Sequence, residues 1–364
     1  MTGGQPARWA AGGLAVAAGL AVAACGTGAP NVGSPGAAVS PTAGARTTSA
    51  GPAAPLTDLA AASAADAQRR AVALVLSGPD LRGLTSADVV YQEFAAPVRY
   101  IAVFQSREAT GVGPLTSTQP TDGQALSVVR PLFGYNGGTH VFTKELNHTQ
   151  VTNLGKTTHP SQYSAVGPGV SASTKALQRA VRGNGAPPQI FYFRGEGPQS
   201  GVLASARLSR PAAAKVTIPG YGTESWAYGS KTGLWALTAG GPKIQVANVV
   251  VQTVPYKQAV VSHRAGTTVP SARLIGNGSV EVLSGSVGGS GTSAPGAWSK
   301  PHLNQLTNYV DDNGYPMAFQ PGPTWVIFAP KGTKVSTSGG AVMRQAGACP
   351  TAPRCPAEAM RSRS

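Results

Sequence analysis

The sequence predicts an α+β protein, with a mixed α+β N-terminal domain followed by a mostly β C-terminal domain. Short runs rich in β-branched and aromatic residues recur along the chain, glycine and proline punctuate them, and the few helical patterns fall in the first half.

The N-terminus sets the expected address. Arg8 gives a positive start, and Ala11 to Ala24 form an uncharged apolar run ending in Val22-Ala23-Ala24-Cys25. That run is shorter than the ~20 apolar residues that cross a bilayer, so residues 1–24 read as a signal peptide with a lipobox. Cys25 is then the lipidation site, and two acyl chains on it make stable anchoring where one is marginal. The body is expected to be extracytoplasmic, its contact with the cell membrane made through the lipid anchor. Residues 26–56 are almost entirely Gly, Ala, Pro, Ser, Thr and Val, which bury too little to offset ordering, and the lipidated Cys25 with its flexible linker is read as residues 25–65.

An Ala-rich stretch from Thr57 to about Arg70 predicts a helix, and the folded body opens near residue 66. Strands are predicted over Ala71–Leu76, Asp88–Phe94, Val98–Gln105, Gln189–Phe193, Leu234–Leu237, Gln245–Val254, Ser279–Leu283 and Thr324–Phe328. One helix opens at Thr121 or Asp122 behind Pro120. Another runs from Ser173 through Leu177 and Val181 to Gly183, its apolar residues four apart. The Pro/Gly segment Pro219 to Gly222 divides an N-terminal domain (66–222) from a C-terminal domain (223–334). The small polar residues of 335–364 read as a loose tail. Within it, Cys349 and Cys355 can close a disulfide loop in an oxidising compartment.

Lys and Arg number 29 against 14 Asp and Glu, a formal net charge of +15. Charged residues make up only 12% of the chain, against about 25% in ordinary domains, so the excess comes from scarce acids. With no dense basic run, a diffuse positive surface suits anionic lipid headgroups or an anionic wall polymer. No aromatic-basic pattern of a nucleic-acid module is present, and nucleic acid is not an expected partner.

Several catalytic signatures are missing. There is no Gly-x-Ser-x-Gly elbow, no Ser three residues before a Lys, and no His-Glu-x-x-His. Gly111-Val112-Gly113-Pro114 lacks the Gly-Lys-Ser/Thr ending that contacts phosphates, so it reads as a turn. His148 and His159 read as solvated residues, and no metal or cofactor is predicted. Glycosidic carboxylates meet in space and not along the chain, which leaves Glu93 and Asp122 as the first pair to test.

The strand wording carries a resemblance. Gly83-Leu84-Thr85-Ser86-Ala87-Asp88-Val89-Val90-Tyr91-Gln92-Glu93, then Val98-Arg99-Tyr100-Ile101-Ala102-Val103-Phe104, resembles the YerB-like lipoproteins. Val112-Gly113-Pro114, Thr121-Asp122 and Leu132-Phe133-Gly134-Tyr135-Asn136-Gly137-Gly138 continue it in order. A second part matches at Trp226, Gly233, Asn248 to Gln252, Gly296 to Lys300, Asp311 to Gly314 and Gln320 to Val326. The resemblance covers about residues 68–330 and implies a two-part domain of unknown function. After the Gly-Pro turn the family reads Val-Arg-Ser-Ala-Arg, whereas this chain reads Leu115-Thr116-Ser117-Thr118-Gln119 without either arginine. That loss implies a changed grip on anions.

Two readings of function follow. The first is a non-catalytic envelope lipoprotein binding an anionic wall polymer or an envelope protein in a groove beside Glu93, Arg99, Thr116, Ser117, Gln119 and Asn136, with no catalytic residue. The other is a wall-modifying hydrolase using Glu93 or Asp122. Glu93 and Arg99, opposite charges on consecutive predicted strands, serve equally well as a structural salt bridge. Trp298 and Trp325 read as core, and Asn248 as a cap on strand-end backbone.

Overall fold

The computed structural model describes residues 51–339 apart from 168, 182–184, 196–207, 263–265 and 286–287. The predicted signal peptide, Cys25 and the Cys349 and Cys355 pair lie outside the described residues.

The predicted linker ends earlier than composition suggested. Ala54, Leu56 and Thr57 are buried, Leu56 within the core and Thr57 accepting a hydrogen bond from Gly322 N (2.7 Å). The reason is local: Leu56 supplies an apolar side chain that the sheet covers, which the Gly/Ala/Pro tract before it cannot do. Only α1 (Ala64–Ala67), capped by Ser63, is helical in the Ala-rich stretch.

Strands β1 (Val72–Ser77), β2 (Val89–Glu93) and β3 (Arg99–Phe104) follow, then α2 (Pro120–Leu126), β4 (Leu132–Gly134), α3 (His140–Glu145) and β5 (Thr152–Asn153). A hairpin of β6 (Tyr163–Val166) and β7 (Gly169–Ala172) precedes α4 (Thr174–Ala180), whose cap is Ser173. The second part runs through β8 (Ala213–Ile218), β9 (Gly222–Gly229), β10 (Leu234–Ala239), β11 (Gln245–Val246) and β12 (Asn248–Thr253). After a hairpin of β13 (Tyr256–Ser262) and β14 (Thr267–Ala272) come β15 (Gly276–Ser284), β16 (Thr292–Lys300), β17 (Asn308–Asp311), β18 (Thr324–Ala329) and β19 (Lys334–Ser338).

The protein is mostly β, built on one large mixed sheet of ten strands ordered β17-β16-β15-β12-β18-β2-β3-β1-β4-β5. A clear α+β N-terminal domain is not shown: β18 from the end of the chain pairs in parallel with β2 on one side and β12 on the other, Val326 opposing Tyr91 and Val250. Five further strands form a second sheet, β11-β10-β9-β8-β19. Pro219 to Gly222, where the sequence suggested a division, forms the turn of the β8–β9 hairpin, with Ile218 opposite Gly222. Residues 334–338, assigned in part to a loose tail, pair with β8.

Alternation explains why the central strands read as unbroken apolar runs. Val72, Leu74, Leu76, Val249, Val251, Trp325 and Ile327 face the second sheet and its Val216, Trp226 and Trp235. Their neighbours Ala73, Val75, Val250, Val326 and Phe328 face the opposite way, onto Leu56, α2 and the aromatic loop residues Phe191 and Phe319. A sheet covered on both faces favours apolar side chains on both, giving near-continuous apolar runs.

The predicted strand over Gln189–Phe193 is not one. Phe193 makes a single bridge to Phe319, while Phe191 packs on Phe319 with ring centroids 4.8 Å apart. Alternate aromatic burial looks the same in a loop anchored by its side chains as in a strand. Trp298 and Trp325 are core, and the Asn248 amide donates to Gln320 O (2.9 Å) and accepts from Gln320 N (3.0 Å). Among the described residues no helix is long and apolar enough to cross a membrane.

Candidate functional site

Glu93 ends β2, Arg99 begins β3, and the two are direct cross-strand partners. Arg99 Nη1 donates to Glu93 Oε2 (2.5 Å), and Nη2 donates to both Asp122 oxygens (3.0 and 2.9 Å) and to Ser117 O (2.9 Å). Asp122 arrives on the first turn of α2, where its Oδ2 also accepts from Gln119 N (2.8 Å) and Thr118 Oγ1 (3.0 Å). The other Glu93 oxygen accepts from Thr121 Oγ1 and from Ala272 N, so β14 of the second part closes the cluster.

Glu93 and Asp122 are 0% exposed and Arg99 is 2% exposed. Burial raises the Glu93 carboxyl above its ordinary range; Arg99 pulls it back and Asp122 adds to the rise. Two expectations are corrected here. Arg99 offers no ligand-binding fork, because both Nη atoms are committed to the protein, and its Nε is buried without a partner. Nor do Glu93 and Asp122 face each other across a cleft; one guanidinium joins them inside the core.

What the cluster does is hold the next layer of chain. It fixes Ser117 by its carbonyl; Thr118 N donates to Gly137 O (3.2 Å), and Asn136 N donates to Thr116 O (2.9 Å). Thr116, Ser117, Gln119 and Asn136 are half-buried, and the Gly137-Gly138 loop packs against Ser117 and Thr118. Gly138 (φ 133°) lies against Thr118, whose Cγ2 would stand 2.8 Å from any added Cβ, so both the backbone angle and the packing require glycine.

The open groove lies beyond that loop. It has a volume of about 600 Å³ and sits where the chain leaves β4 and β5, with α3 along its side. Because β1, β4 and β5 run parallel, the loops following β4 and β5 converge at one end of the sheet, the usual place for a crevice beside parallel strands. His140 and Lys144 stand four apart on α3, and with Thr143, Asn147, Asn153 and Thr158 they line the groove; no Asp or Glu does. Tyr135 forms its floor, its hydroxyl donating to Asn153 Oδ1 (2.9 Å), while an added Cβ at Gly155 would meet the Tyr135 ring at 2.5 Å. His159, one of the two histidines singled out in the sequence, has its Nδ1 2.9 Å from Thr158 Oγ1 at the rim.

Sequence reading passed over α3. Its signals were present: Thr139, whose hydroxyl accepts from Phe142 N, is a helix cap, and the buried Phe142 and Leu146 are four apart.

Taken together, these features define a mostly β protein whose two sequence halves complete one sheet, with a buried ion cluster beneath a polar groove on the first half. The chain belongs to the family described as protein of unknown function (DUF3048): the N-terminal domain matches residues 56–184 and the C-terminal domain residues 216–326. Its fold is similar to the crystal structure of the YerB protein from Bacillus subtilis, with a TM-score of 0.60 and 17% identity, over 79% of this chain and 100% of that one. No curated protein matches the sequence.

Proposed function

We propose that this protein is an exported, lipid-anchored envelope protein that binds an anionic wall polymer in the groove beside α3. The observation that carries the reading is the lining: two side chains able to be cationic, His140 and Lys144, among amides and hydroxyls, with no carboxylate. Such a surface attracts spaced negative charges and hydrogen-bonds the hydroxyls between them. The chain's formal +15 adds a general attraction that salt screens. Burial of Glu93 and Asp122 on Arg99 favours binding over the hydrolase reading, since neither carboxylate has a free face from which to move a proton to a sugar.

Binding is tested with a glycerol-phosphate polymer and a neutral glucan of similar length. The mature protein should bind the first, more weakly as salt is added. A His140→Ala, Lys144→Ala double variant should lose about tenfold or more in affinity, roughly 1.4 kcal/mol, with its fold intact because both residues are exposed. Equal binding by wild type and variant, or preference for the glucan, removes the groove from consideration. The anchor has its own test: fatty-acid labelling in cells should disappear in Cys25→Ala, and undiminished labelling there rejects it.

A further inference from the structure

A second cavity adjoins the end of α2, with Ala125 in its lining. Lys300 is the last residue of β16 and only 3% exposed, yet its Nζ has one partner, Gln124 O near the end of α2 (2.7 Å). No carboxylate among the described residues lies within ion-pair distance of it. Arg99, equally buried, has two. A single carbonyl at a helix end compensates a buried ammonium only partly and leaves two of its N–H groups to be satisfied. Burial accordingly pulls Lys300 down to about 8.

The ammonium lines a cavity of about 30 Å³ together with Gln252, Thr307 and the aromatic side chains of Tyr91, Phe191 and Tyr309. Tyr309 donates to Gln252 Oε1 (2.9 Å), which fixes that amide with its NH2 as the remaining donor. The Thr307 hydroxyl, on the same wall, hydrogen-bonds to the Tyr309 side chain and completes this chain of polar groups. Space of this size takes one or two waters, or the three heavy atoms of a carboxylate group, but not a phosphate. One fixed cation likewise matches a single negative charge. Apolar Leu274 and the 40% exposed Leu306 complete the lining, so a short aliphatic tail can extend toward solvent.

We propose that this cavity is a binding site for a short-chain carboxylate, held by the Lys300 ammonium with the Gln252 amide as a neutral donor. It is separate from the α3 groove and does not depend on it. No lining residue is shared between the two.

The test uses the full mature chain with sodium propionate, chloride and inorganic phosphate at equal ionic strength. Carbamylation of Lys300 by cyanate, followed near pH 8 by mass spectrometry, should slow about fivefold once propionate exceeds its Kd about fourfold. Chloride and phosphate should give no protection. Propionate should also raise the thermal midpoint of wild type and not that of Lys300→Met, a variant expected to fold because it removes an unpaired buried charge. The proposal is overturned if Lys300 reacts at the same rate with and without propionate. Equal protection by chloride, or the same propionate-induced shift in Lys300→Met, overturns it too, leaving Lys300 as a cap on the end of α2.

Discussion

Arg99→Met is expected to destabilise the protein by about 3–5 kcal/mol, the range seen when one partner of a buried ion pair is removed. The variant leaves Glu93 and Asp122, both 0% exposed, without their shared cation. The loss should depend on pH in a definite direction. Burial already holds the Glu93 carboxyl above its ordinary range, and Arg99 is what pulls it back. Without Arg99 it rises further. A carboxyl raised in the folded state favours folding fully below the unfolded value of about 4.3, and that contribution disappears as pH climbs through the folded value. The gap between variant and wild type should therefore widen from pH ~5 to pH ~7.5. Urea midpoints followed by tryptophan fluorescence measure it. A gap under about 1 kcal/mol at both pH values, typical of exposed pairs, would mean that the cluster carries little of the fold.

Trp325→Ala is expected to cost a similar or larger amount. Trp325 lies on β18 at 0% exposure, between the two sheets, with its ring centroid 5.6 Å from Tyr100 and 6.1 Å from Trp226. Removing the indole costs about 3–5 kcal/mol for the lost burial and the void. It also strips Gln92 Oε1 of its donor, Trp325 Nε1 at 2.7 Å, and an unsatisfied buried acceptor adds about 1–3 kcal/mol. The amide is held in this orientation by Gln92 Nε2, which donates to Glu224 (2.5 Å), a carboxyl that burial lifts to about 7. Because β18 joins both halves, the variant should still unfold in one transition, seen alike by fluorescence and circular dichroism. Two separated transitions would contradict a shared core.

The sequence disclosed the strands of this sheet better than their arrangement. Runs such as Val89 to Tyr91 and Trp325 to Ala329 announce strands because burial on two faces favours apolar residues at consecutive positions. Nothing in either run states that the two are neighbours, since parallel pairing leaves no turn between them to read. The ion cluster was half visible: opposite charges on consecutive strands pointed to Glu93 and Arg99. The third member, Asp122, was named for a different purpose, because its approach to Arg99 depends on where α2 docks. The groove was missed for the same reason. His140 and Lys144 are ordinary surface residues until the loops after β4 and β5 come together around them.

The placement of β18 also governs the order in which the molecule can assemble. Gln92 and Trp325 meet although they are 233 positions apart in the sequence. A chain delivered N-terminus first can align β5, β4, β1, β3 and β2, but the far edge of β2 then waits for a strand near the end of the sequence. Contacts of such long range slow folding, and a waiting apolar edge invites pairing with other chains. Shielding that edge is a task for whatever escorts the chain until β18 arrives.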